Sequence, residues 1–297
     1  MHTVATGAVV VEVDGSADGL RVVDFASADA LRTGADLLLA APYRSFAGAP
    51  PQRPPWSRDE AERRLREAVA HVHRQIGHQI PVRTVARDGH RLDVLAQLGW
   101  TARLLVVPRQ RARGPQRLVA AAHDVALAAR SRCPVIVVPR EWKPSRADRI
   151  VAVGVDGTAL SWEAVEYAFS AAEQRAGKLI VVHADTPPCR PVGQDAEQAW
   201  IAANDLTVAE TLAGWQERHP DVPVVRLVTS EPVLEALPRR SALAGLLVLG
   251  VHIDHNRTIG DPVARRAVAA ATCPVAMVRH HVTVSERQRL PREVSHR

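Results

Sequence analysis

Val11-Glu-Val-Asp-Gly-Ser16 returns 142 residues later as Val153-Gly-Val-Asp-Gly-Thr158. Leu104-Leu-Val-Val107 returns as Leu246-Leu-Val-Leu249, again 142 residues on. Cys133-Pro-Val-Ile-Val-Val138 returns as Cys273-Pro-Val-Ala-Met-Val278, 140 residues on. Three landmarks that keep their order and nearly keep their spacing mark a duplicated domain, and about 140 residues is an ordinary domain size. The 297-residue chain is therefore expected as a first domain over 1–142, a second over 148–280 and a mobile tail over 281–297, which lacks any periodic pattern. Between the copies, Pro139-Arg-Glu-Trp-Lys-Pro-Ser-Arg-Ala-Asp148 is polar and carries two prolines, as a short linker does.

Each copy alternates short apolar runs with longer amphipathic ones. In the second, strands are predicted at Ile150–Val155, Leu179–Val182, Pro223–Val228, Leu246–Leu249 and Val275–Val278. Helices are predicted between them at Ser161–Ala176, Ala196–Arg218, Val233–Ala242 and Asp261–Ala271, with Gly177 as a helix stop. The first copy repeats the order with strands at Ala8–Val13, Leu37–Ala40, Val82–Val85, Leu104–Val107 and Val135–Val138. Its proline-rich stretch 42–57 reads as a loop, after which Ser57 and Glu60 form a capping box. Short β-branched strands alternating with helices imply right-handed βαβ units and a parallel sheet covered on both faces, so the fold class is α/β.

Composition excludes several functions. Apolar residues make up 46% and charged residues 24%, which fits a folded globular chain. No apolar run is long enough for a membrane helix, and the first 20 residues carry acids but no Lys or Arg, so the expected place is the cytoplasm. Three cysteines, Cys133, Cys189 and Cys273, are too few and odd in number for a disulfide framework, and they lack zinc-finger spacing. Cys133 and Cys273 read as small buried residues before a strand, not as nucleophiles, and Cys189 as an exposed thiol. The net charge of +6 lies wholly in residues 1–142, with 20 Arg against 14 Asp and Glu, and much of it in Arg109, Arg111, Arg113 and Arg117. No aromatic residues interleave with that run, so nucleic acid is the weakest partner reading. His71 and His73 lie on divergent helix faces, His252 and His255 lack a third ligand, and His280-His281 reads as solvated, so no metal is expected. Trp100, Trp162, Trp200 and Trp215 read as helix packing or a subunit interface.

The ordered set of Val-Asp-Gly-Ser/Thr after the first strand, Gly after the fourth and Cys-Pro-Val before the fifth, present twice, resembles the universal stress protein family over nearly the whole chain. The resemblance implies two tandem, doubly wound, five-stranded parallel-sheet domains, Rossmann-like, with strand order 3-2-1-4-5. It also implies dimers, formed either as a homodimer or as an intramolecular pseudo-dimer of the two copies. ATP-binding members carry Gly-x-x-Gly, nine residues, then Gly-Ser/Thr, where glycines and a helix N-terminus cradle phosphates and the first-turn Asp meets the nucleoside. In the second copy Asp156 matches that Asp and Gly250 the first Gly. Ile253 replaces the second Gly, Asp261 and Pro262 replace Gly-Ser/Thr, and the loop is two residues short. Gly260 serves if the alignment slips by one, with Val263 behind it at the start of the last helix. A carboxylate at Asp261 would itself claim the helix N–H groups and repel a triphosphate.

In the first copy Asp14 is kept, while Pro108, Arg111 and Ala121-Ala122 replace the cradle. Arg109, Arg111 and Arg113 read either as side-chain phosphate ligands or as a solvated loop. Asp14 and Asp156 equally suit the turn that launches a helix. The expectation is a non-catalytic stress-response or regulatory protein with degenerate adenine-nucleotide sites and an undefined protein partner. The alternative is a binder of ATP or another adenine nucleotide, or a slow ATPase, using the second domain.

Overall fold

The computed structural model describes residues 7–44, 57–156, 161–184, 194–251 and 261–280. The tail over 281–297, Gly260, Cys189, His252 and His255, and most of the proline-rich loop lie outside the described residues. The first half runs β1 (Val9–Glu12), α1 (Gly19–Thr33), β2 (Leu37–Tyr43), α2 (Arg58–Ile76), β3 (Val82–Asp88), α3 (Arg91–Leu98), β4 (Leu104–Pro108), α4 (Gln116–Arg130) and β5 (Val135–Val138). The second repeats it as β6 (Ile150–Val155), α5 (Trp162–Gln174), β7 (Lys178–Ala184), α6 (Gln194–Arg218), β8 (Val224–Thr229), α7 (Val233–Arg240), β9 (Leu246–Val251), α8 (Pro262–Ala270) and β10 (Val275–Arg279).

Each half has the expected order 3-2-1-4-5, but the two sheets are continuous. One ten-stranded sheet runs β3-β2-β1-β4-β5-β10-β9-β6-β7-β8. All its pairings are parallel except β5 with β10. There Ile136 lies opposite Ala276, flanked by Val137 opposite Val275 and Val135 opposite Met277. Ile136 and Ala276 are equivalent positions of the repeat, so the pairing has a local pseudo-twofold relation. Both last strands would be bare apolar sheet edges if the halves stood alone, and each covers the other.

Strand alternation sends successive residues to opposite faces. Val9 and Val11 join one core layer with helices α1, α2 and α5, and Val10 joins the other with α4 and α8. Both layers run through both halves. Phe25 and Trp142 meet edge to face at 5.3 Å, which pins the linker onto α1. Asp29 of α1 is buried and accepts from Arg32, with Arg175 beyond α5 at 3.5 Å.

Three local readings change. The left-handed residue that closes α5 is Ala176 (φ 44°), not Gly177. Gly177 is required for another reason, since a Cβ there would fall 1.5 Å from the Arg149 carbonyl oxygen. Ser57 does cap α2, accepting from the Glu60 N–H at 3.3 Å, while the Glu60 carboxylate is taken by Arg63 and Arg64. His280 is buried rather than solvated, because the end of β10 runs beside α5 and its ring binds the Glu163 carboxylate. His71 and His73 do diverge, the first to Asp24 at 2.6 Å and the second onto the His78 ring. Trp100 and Trp162 are exposed, and Arg132 lies over the Trp100 ring at 5.0 Å.

Candidate functional site

In an open α/β sheet the carboxyl ends of the two strands where the order reverses leave a crevice. Here those strands are β1 and β4 in the first half and β6 and β9 in the second. The candidate residues lie at these ends.

Asp14 follows β1, and its carboxylate is saturated. One oxygen accepts from the Ser16 N–H (2.9 Å) and hydroxyl (2.7 Å), which makes the tight turn into α1. The other accepts from Arg140 at 2.5 Å. Burial alone would raise the Asp14 carboxyl, but the two Ser16 hydrogen bonds and the Arg140 guanidinium outweigh it, so it lies below its usual range. Arg140, just past β5, is fixed in turn. It also donates to Ser16 Oγ (2.8 Å) and to the Arg109 carbonyl (2.9 Å), and its own carbonyl accepts from Arg21 (2.8 Å). The Arg140 and Asp14 side chains are only 13% and 15% exposed, so this pair is sheltered from solvent screening.

Two cavities open around Arg140 in this half. One, of about 490 Å³, is lined by the loop after β4, the start of α4, Arg140 and Glu141, and reaches Ala269 of α8. The other, of about 590 Å³, lies over the ends of β1 and β2 and the start of α3, and shares Gln110, Arg111 and Arg140 with the first. At its base Arg91 grips Glu12 through two 2.7 Å bonds. Behind Arg91 is Asp124 of α4, which is 0% exposed. Neither Asp124 oxygen has a well-formed hydrogen bond, and the nearest guanidinium nitrogen, Arg91 Nη1, is 3.5 Å away. Burial pushes the Asp124 carboxyl up to about 7 against the pull of Arg91, while Glu12 adds to the rise. Arg91 itself is held above its usual value by the two acids, against the effect of burial.

Arg109 turns the other way, towards the second half. Its guanidinium donates to the carbonyls of Ala271 (2.7 Å) and Val268 (3.4 Å) at the end of α8 and pairs with Glu141 (3.2 Å). A cation at a helix C-terminus satisfies orphan carbonyls and the dipole together. Pro108 ends β4 and contributes no N–H to the crevice.

In the second half, Asp156 follows β6 and accepts from the Ser161 hydroxyl at 2.8 Å. Gly250 lies within β9, opposite Val278 of β10. At the start of α8 the Asp261 carboxylate accepts from the N–H groups of Val263 (2.8 Å) and Ala264 (3.2 Å). The N–H groups that a phosphate would need are thus bonded to the chain's own carboxylate. The counterpart helix α4 begins at Pro115 with no side-chain cap. Asp156 and Gly250 sit on neighbouring strands of the sheet, and Val263 lies past the segment 252–260 outside the described residues.

Arg140, Arg91, Glu12 and Asp124 escaped the sequence reading. Glu12 and Asp124 did leave a signal, a carboxylate inside an apolar strand and another in an alanine-rich helix. Arg140 left none. Among the described residues no cluster of His, Cys, Asp and Glu could hold a metal, and no helix is long and apolar enough to cross a membrane. Cys133 and Cys273 are buried, and burial pushes both thiols up to about 12.

The sequence profile described as the universal stress protein family matches residues 6–139 and again 149–279. A universal stress protein of Mycobacterium tuberculosis is 29% identical over 285 residues, covering 91% of this chain and 96% of that one. One from Mycolicibacterium smegmatis is 30% identical over 210 residues, covering 68% and 70%. The crystal structure of a universal stress protein from Archaeoglobus fulgidus shares the fold with a TM-score of 0.67 at 14% identity, over 92% of this chain and 96% of that chain. Two consecutive matches that together span most of the sequence mean that this chain belongs to the universal stress protein family and carries the family's domain twice in tandem.

Proposed function

We propose that this protein is a non-catalytic, regulatory universal stress protein whose adenine-nucleotide positions are closed by its own side chains. One paired observation carries the reading. In the first half Arg140 takes the carboxylate of Asp14, the group that the family resemblance assigns to the nucleoside. In the second half Asp261 takes the Val263 and Ala264 N–H groups, where the resemblance puts the phosphates. Burying an ion pair and then breaking it for a ligand costs several kcal/mol, on the order of 3–5, which a nucleotide would have to repay before gaining affinity. The candidate residues also include no nucleophile bonded to a base, so the reading assigns the chain no hydrolytic step. Its output is then made through protein contacts.

The alternative, an adenine-nucleotide binder using Asp156, Gly250 and the start of α8, requires the Asp261 carboxylate to leave Val263 and Ala264. The deciding experiment is mass spectrometry of small molecules released on denaturing protein purified without added nucleotide, paired with thermal unfolding in millimolar ATP. The proposal expects no adenine nucleotide and no ATP-dependent rise in Tm. Adenine nucleotide near one per chain, or a Tm that rises with ATP, would overturn it, and Asp156→Ala would then identify the half responsible.

A further inference from the structure

The smaller cavity is unusual in charge. Five arginines line it, Arg109, Arg111, Arg113, Arg117 and Arg140, against Asp18 and Glu141, a formal balance of +3. Their engagement differs. Arg140 is spent on Asp14, and Arg109 on α8 and Glu141. Arg111 meets Asp18 at 3.2 Å with both side chains exposed, a weak pair. Arg113 and Arg117 have no acidic partner among the described residues, and both are exposed. Arg117 makes only a long 3.4 Å bond to the Ala112 carbonyl. Like charges gathered in one concave site repel, and the fold holds them there because the loop after β4 is anchored at both ends. Arg109 is tied to the second half, and α4 begins at Pro115.

We infer that this cavity binds a compact phosphate-type polyanion without a nucleoside, held by the guanidinium groups of Arg111, Arg113 and Arg117 in place of a glycine backbone cradle. Guanidinium forks match phosphate oxygens in pairs, and an anion entering the cavity relieves the repulsion among them. The inference rests on the proposed closing of Asp14, because that pair removes the nucleoside contact and leaves the charge. A chain of two or three phosphates fits a volume of about 490 Å³. Because the cavity reaches Ala269 and Arg109 clasps the end of α8, its occupant would also touch the junction between the halves. The same phosphates could come free or as part of a nucleotide, and the two sources are separable.

The test is calorimetric titration of the full chain with inorganic tripolyphosphate and, separately, with ATP, at about 0.15 M salt to suppress diffuse binding. The variants are R113Q/R117Q and, as a control for surface charge, R66Q/R74Q on the exposed face of α2. The expected result is saturable tripolyphosphate binding, weakened at least tenfold in R113Q/R117Q and unchanged in R66Q/R74Q, with ATP binding no tighter than tripolyphosphate. All four positions are exposed, so the variants should fold, and the single variants R113Q and R117Q should each give part of the loss. No binding of either ligand would overturn the inference and leave the closed-site reading intact. Equal losses in both double variants would reduce the effect to surface charge and also overturn it. ATP binding tenfold tighter than tripolyphosphate would show that the nucleoside is read, and both proposals would fall.

Discussion

Replacing Asp124 with asparagine should change how stability depends on pH, by an amount that the structure sets. Asp124 is fully buried, has no well-formed hydrogen bond, and lies 3.5 Å from the guanidinium of an arginine already gripped twice by Glu12. Its carboxyl titrates near 7 in the folded chain against an ordinary 3.8. Below about pH 4 the folded and unfolded chains both hold this proton, and the site costs nothing through linkage. Between about 4 and 7 the unfolded chain has released it while the folded chain retains it. Stability therefore falls by about 1.4 kcal/mol per pH unit as pH rises. Above 7 both forms are ionised and the full penalty, about 4 kcal/mol, is present. An asparagine amide cannot titrate, so Asp124→Asn should gain about 2 to 3 kcal/mol on the native protein between pH 5 and pH 8. Urea unfolding of both proteins at each pH, compared pairwise, measures this. Any constant offset from the new amide cancels in the comparison, as do the titrations of other groups. A difference that stays flat from pH 5 to pH 8 would refute the reasoning, for it would mean that Asp124 is solvated or fully paired with Arg91.

Three further outcomes are expected. Asp261→Ala removes the acceptor for two N–H groups of α8 and should cost about 1 kcal/mol in urea unfolding; an unchanged midpoint would mean that this cap contributes nothing. Arg109→Ala leaves the Ala271 carbonyl without its cation and should cost about 1–2 kcal/mol. Amide exchange in the last turn of α8 should then quicken more than exchange in α2, and equal rates would contradict the clasp. At pH 8 the native protein should expose at most one of its three thiols to an aromatic disulfide reagent, since Cys133 and Cys273 are buried with thiols near 12. All three should react after denaturation, and a second fast thiol in the native protein would count against the buried assignment.

The elements and their order were legible because they depend on local pattern. Short β-branched runs such as Val135–Val138 can be satisfied only inside a sheet, and the helical spacing of Trp162, Val165, Ala168, Phe169 and Ala172 can bury only one face. The 142-residue repeat then doubled whatever fold one copy has. The self-capping of α8 was also foreseeable, since Asp261 bonds to N–H groups two and three residues away.

What the sequence could not reveal are contacts between residues far apart along it. Asp14 and Arg140 are separated by 126 positions, and neither is unusual where it stands. Only the adjacency of β1, β4 and β5 in the sheet brings the linker arginine onto the turn aspartate and closes that position. Glu12, Arg91 and Asp124 come from a strand and two helices, so their charges meet only after the layers pack. His280 lies at the edge of a run that looks like a solvated tail, yet Glu163 of α5 waits beside the end of β10. The joining of two sheets into one follows from β5 and β10 each being an apolar edge, and sequence pattern describes a strand's faces but not the strand beyond its edge. Periodicity records which face of an element is buried, and the sequence by itself therefore determined the family and the fold of each half. Which side chains then occupy one another across the crevice is set by distances that exist only once the chain is folded, and so the tertiary structure alone decided which candidate positions are closed and where positive charge is left over.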